Sequence, residues 1–134
     1  MEKELETIFM RSHLRLTKPR RVVFEVLKTT ATPLSIAAIA ESCAAIDRTS
    51  VYRTIDMFLK LDIVKAVPFG WKQRYELADP FKSHHHHLAC VRCGSLVDLH
   101  SPKIEDMISS IASEHGFRAV DHSVEIKGYC GSCR

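Results

Sequence analysis

A chain of 134 residues, 46% apolar and 26% charged, has the make-up of one folded domain or two small ones. Its net charge of +3 is split: residues 1–75 carry 13 Lys/Arg against 8 Asp/Glu, residues 76–134 carry 6 against 8, as a basic nucleic-acid module beside a metal-holding module would. No apolar run nears the roughly 20 residues of a membrane helix, and the mixed-charge start MEKELETIFMRSH does not resemble a signal peptide, so no membrane partner and a cytoplasmic location are expected.

Residues 2–12 read as a short helix. Thr17 is placed to cap a second, with Pro19 in its first turn and Val22, Val23, Val26 and Leu27 at helical spacing. Ser35 can cap a third carrying Ile36, Ile39, Ala40 and Cys43, the last read as core. Asp47 can cap a fourth, in which Val51, Ile55, Phe58 and Leu59 share one face. Residues 63–68 and 73–77 read as strands around Gly70 and Trp71. Three helices and a hairpin are the order of a winged helix-turn-helix, so the expected fold is α+β, a winged helix over 1–79 followed by a small α/β domain over 80–134.

In that second part, residues 88–90 and 96–99 read as strands flanking a Cys-x-x-Cys-Gly knuckle. Ser101 and Pro102 open a helix expected to turn Ile104, Met107, Ile108 and Ile111 inward, and His115-Gly116 ends it. Residues 117–120 and 124–129 read as two further strands.

Cys90, Cys93, Cys130 and Cys133 form two C-x-x-C pairs, separated by the 36 residues between Cys93 and Cys130. Two such pairs can close a tetrahedral structural zinc site, provided the fold brings them together. Just ahead stand His84, His85, His86 and His87. On a strand, alternate side chains face opposite ways, so this run can serve two metal sites. Partners for it are open among Glu76, Asp98, Glu105 and His122.

The fourth helix opens Asp47-Arg48-Thr49-Ser50-Val51-Tyr52-Arg53-Thr54. Its hydroxyls, phenol and guanidiniums suit a recognition helix meeting base edges and phosphates of double-stranded DNA. Arg15, Lys18, Arg20 and Arg21 could hold the backbone from the preceding element.

The stretches LTKPRRVVFEVL, SVYRTIDMFLKLDIV, HHHHLACVRCG and HSVEIKGYCGSC, in this order, resemble the ferric uptake regulator (Fur) family of metal-sensing repressors over essentially the whole chain. The resemblance implies a homodimer with an N-terminal winged helix and a C-terminal dimerisation domain, binding a palindromic operator when metal fills a hinge site. It assigns Cys90, Cys93, Cys130 and Cys133 to structural Zn²⁺, and Glu76, His85, His87 and Asp98 to the hinge sensing site. It assigns His84, His86, Glu105 and His122 to an additional site, Tyr52 and Arg53 to DNA contact, and Arg15 and Arg20 to flanking basic positions.

The third-helix stretch ATPLSIAAIAES lacks the histidine that iron- and peroxide-sensing members usually carry there, and Tyr75-Glu76-Leu77 offers a carboxylate where zinc sensors often use cysteine. LADPFKSHHHH is about two residues longer than usual, and His13 is a possible substitute ligand. An N/O site of three or four ligands suits Zn²⁺ better than Fe²⁺ or Mn²⁺. The expectation is therefore a zinc-sensing repressor of metal-uptake genes, with iron, manganese or peroxide sensing as the alternative and a zinc store further off. A zinc hydrolase is set aside, because no H-E-x-x-H is present and a winged helix leaves little room for a pocket.

Overall fold

The computed structural model describes residues 1–70 and 72–134; Trp71, expected beside the hairpin turn, lies outside the described residues. The chain forms two compact units, Met1–Ser83 and His84–Arg134.

The first unit holds four helices and a hairpin: α1 (Glu2–Arg11), α2 (Lys18–Thr29), α3 (Ile36–Ser42), α4 (Arg48–Lys60), β1 (Val64–Phe69) and β2 (Lys72–Leu77). Caps set the helix starts. The Asp47 carboxylate accepts the Ser50 N–H at 3.0 Å and its hydroxyl at 2.7 Å, and Ser35 Oγ accepts the Ala38 N–H at 3.1 Å. Thr17 is the N-cap of α2, as expected, with extended backbone, although its side chain makes no cap hydrogen bond. The helices bury Leu5, Phe9, Val23, Phe24, Leu27, Ile39, Val51, Ile55 and Phe58 in one core, which Cys43 joins and over which Ile63, Val64 and Leu77 of the hairpin region close. β1 and β2 run antiparallel, Val64 opposite Leu77 and Phe69 opposite Lys72, and Leu34 adds a backbone bridge to Tyr75. This is a winged helix-turn-helix.

The second unit holds β3 (His86–Cys90), β4 (Leu96–Leu99), α5 (Pro102–Glu114) and β5 (Glu125–Gly128). The sheet order is β4-β3-β5, antiparallel on one side of β3 and parallel on the other. Two expectations fail here. Residues 117–120 form no strand; Phe117 is 73% and Val120 86% exposed, and among the described residues no neighbouring strand offers them a ladder. Helix α5 fully buries no residue: of the stripe expected to point inward, Met107 and Ile111 are exposed and Ile104 and Ile108 are half-buried.

Candidate metal centres and nucleic-acid interface

The knuckle between β3 and β4 and the chain's last turn bring the two cysteine pairs together. Each is a tight turn, with Gly94 N–H donating to the Cys90 carbonyl and Cys133 N–H to that of Cys130, both at 3.0 Å. All four sulfurs lie within 4.8 Å of one another, and the Cys93 and Cys130 Sγ atoms are 3.7 Å apart. A tetrahedron with Zn–S bonds of 2.3 Å has edges of about 3.75 Å, so the donor set fits that ion. Backbone N–H groups of Cys93 and Cys130 bring the Cys90 thiol down to about 6, and the neighbouring sulfurs, Cys130 first, push Cys133 up to about 12. The lowered Cys90 thiol is the readier thiolate, whereas a metal binding here must displace the proton that Cys133 holds. Arg92 ties the turns together, donating to the Cys133 carbonyl at 2.8 Å and lying over the Tyr129 ring.

The histidine run splits as the strand period requires. On one face of β3, the His84 and His122 Nε2 atoms are 3.1 Å apart. Glu105, one turn into α5, reaches His86 Nε2 and His122 Nε2 at 2.7 Å each. Val124 N–H donates to His86 Nδ1 at 3.1 Å, which turns Nε2 towards the cluster. Burial pushes the Glu105 carboxyl up, but the hydrogen bond to His86 and the imidazoles of His122 and His84 outweigh it and hold the group below its ordinary value. The four donors lie within 4.8 Å of one another.

On the other face, His85 and His87 bring their rings to 4.8 Å, and Asp98 of β4 lies opposite His87 in the ladder. Asp98 Oδ1 is 3.8 Å from His85 Nε2 and 3.9 Å from His87 Nε2. Both histidine side chains are almost wholly shielded from water. Glu76 belongs to the first unit, near the end of β2. It is 4% exposed, with Lys82 Nζ at 2.8 Å and Lys65 Nζ at 3.4 Å from its carboxylate. His100 was passed over in the sequence, yet its ring centroid lies 5.7 Å from that of His85.

Thr49, Tyr52 and Arg53 are exposed on α4 at i, i+3 and i+4, one continuous face, with Ser50 half-buried beside them. Arg15 is exposed, whereas Arg20 is half-buried, donating to the Arg15 carbonyl and lying over the Phe9 ring. Thr17, Pro19, Arg20, Ser50 and Arg53 line one shallow cleft between α2 and α4.

Comparison with known proteins agrees with this architecture. The sequence profile of the Ferric uptake regulator family matches residues 11–127. The ferric uptake regulation protein of Campylobacter jejuni is 34% identical over 133 residues, covering 94% of this chain and 83% of its own. The solved ferric uptake regulator of Helicobacter pylori, described as having three functional metal binding sites, superposes with a TM-score of 0.85 at 25% identity, over 98% of this chain and 89% of that one. A zinc-bound manganese uptake regulator superposes with a TM-score of 0.70 at 31% identity, over 94% and 98%.

Proposed function

The chain belongs to the ferric uptake regulator family, and from that premise we propose that it is a zinc-responsive repressor that binds operator DNA as a homodimer in the cytoplasm. The family is one of metal-responsive regulators, not of enzymes. The observation that carries the metal reading is the division of the histidine run into two donor clusters, one on each face of β3, each with a carboxylate.

Three roles follow. Cys90, Cys93, Cys130 and Cys133 hold a structural Zn²⁺. His85, His87 and Asp98 hold the regulatory metal, to which the family resemblance adds Glu76. His84, His86, Glu105 and His122 hold an additional one. The regulatory metal, when bound, supplies a fixed positive charge that ties its ligands into one arrangement. Its effect on DNA affinity can be no larger than its preference for the DNA-competent conformer. Imidazole and carboxylate donors in a small set favour Zn²⁺. Iron is the rival reading, supported by the name of the Campylobacter jejuni relative.

The DNA reading rests on Thr49, Ser50, Tyr52 and Arg53 on the α4 face, with Arg15 and Arg20 flanking it. The homodimer reading rests on the exposed apolar side chains Met107 and Ile111 of α5 together with Val97, Phe117 and Val120, which a second copy could cover.

The test selects duplexes from a random pool and then measures their affinity across buffered free zinc, iron and manganese. Zinc should tighten binding to a palindrome by roughly 5–150-fold, the usual range of allosteric coupling. His87→Ala should abolish that response and leave the fold intact. A metal response of wild-type size in the variant rejects the sensing site. Weak, salt-sensitive binding without sequence preference would point instead to a metal store.

A further inference from the structure

His100 stands outside the metal-ligand sets described above. We propose that it is a further ligand of the regulatory metal and completes, on one face of the β3–β4 ladder, a four-donor site made wholly of residues of the second unit. The inference rests on the reading that His85, His87 and Asp98 hold that metal.

The argument begins with register. β3 and β4 pair antiparallel, with His87 opposite Asp98 and His86 opposite Leu99. Continued one step beyond its last pair, the same register would set His85, just ahead of β3, opposite His100, just after β4. Side chains two residues apart on a strand share a face. His85 and His87 therefore lie on one side, and Asp98 and His100 face them across the strand gap. The rings bear this out: His85 and His87 are 4.8 Å apart, and His85 and His100 are 5.7 Å apart and inclined by only 31°. Three imidazoles and one carboxylate are thus gathered at one end of the ladder, with the His85 ring close to those of both His87 and His100.

Chemistry favours the same set. Three neutral imidazoles and a carboxylate are a common donor set for a borderline divalent cation such as Zn²⁺ or Co²⁺. Donor atoms of a tetrahedral site with bonds near 2.0–2.1 Å lie about 3.3 Å apart. The Nε2–Oδ1 separations of 3.8 and 3.9 Å need only a small contraction to reach this. His85 is shielded, and its position is set by the sheet. His100 is exposed, so its ring is free to turn onto the metal. Glu76, a residue of the first unit, is engaged by Lys65 and Lys82, and His100 gives the second unit a fourth donor of its own.

The test uses the 134-residue protein carrying its cysteine-bound zinc. His84→Ala and His122→Ala remove the additional site and leave one reversible site. Co²⁺ is titrated by visible absorption, Zn²⁺ affinity is measured by competition, and imidazoles are counted at the cobalt edge by X-ray absorption. The parent should bind Co²⁺ with three imidazoles. His100→Ala should bind it with two, at least about tenfold more weakly, since even outer-shell changes at metal sites cost 10–100-fold. His100→Cys should regain affinity and show a thiolate-to-cobalt band absent from the parent. Glu76→Gln should leave the tetrahedral cobalt spectrum in place. Two imidazoles in parent and His100→Ala alike, with unchanged affinity, overturn the proposal. Failure of the underlying reading looks different: His87→Ala would then load Co²⁺ as the parent does.

Discussion

The two units are built on different materials. In the first, Val23, Ile39, Val51, Ile55, Phe58 and Ile63 are withdrawn entirely from water, and the helices enclose an ordinary hydrocarbon core. In the second, the buried residues are His85, His86, His87 and Cys90, each a candidate metal ligand. Several of its larger apolar side chains, Met107, Ile111, Phe117 and Val120 among them, are exposed. A unit of this size rarely stands on hydrocarbon alone. One that buries imidazole and thiol instead depends on what those groups bind.

The comparison breaks most visibly at the cysteines. Cys93→Ser should cost the second unit its retained zinc and its folded state, because metal binding and folding are coupled there. The first unit should keep its helical signal. Metal analysis after dialysis against chelator, together with circular dichroism, reads both; a variant that keeps stoichiometric zinc and the native spectrum would show that the sulfurs are not what holds the unit.

The reciprocal change is Phe58→Ala. Removing a fully shielded ring that meets Phe9 edge-on at 6.2 Å should cost about 3–5 kcal/mol. Denaturant titration should place that loss in the helical unit and leave zinc retention unchanged. Equal damage to zinc retention would mean that the second unit borrows its stability from the hydrocarbon core.

The smallest expected effect tests a device confined to the first unit. The hydrogen bond from the Ser50 hydroxyl, then that from its N–H, holds the Asp47 carboxyl below its ordinary value of 3.8. A depressed folded-state value means that the charged cap contributes its full stabilisation above that pH and loses it as pH falls through the lower, folded value. Asp47→Asn should therefore melt slightly below the parent at neutral pH, and the gap should close as acidity passes below 3.8. A gap that stays constant to lower pH would show that the cap acts without its charge.

Much was legible in the chain because it is written in local spacing. Asp47 and Ser35 announce helix starts through short side chains that reach the third N–H along. Val51, Ile55 and Phe58 predict the buried face of α4, since a helix repeats every 3.6 residues. The alternation of His84 to His87 foretold two donor faces, since a strand repeats every two.

What the chain by itself determined is thus the identity of its elements, the ligand types available and the faces they occupy. Tertiary structure alone decided which of them meet. The knuckle and the final turn close the gap between Cys93 and Cys130 to 3.7 Å, a distance no local rule contains. The fold brings the His85 and His100 rings to 5.7 Å, where the sequence shows only a histidine two residues beyond Asp98. The apolar stripe of α5 and residues 117–120 read as core and strand, yet among the described residues the stripe is only partly covered and residues 117–120 join no strand. Periodicity says which side of an element is apolar; whether another surface arrives to bury it is a property of the whole fold.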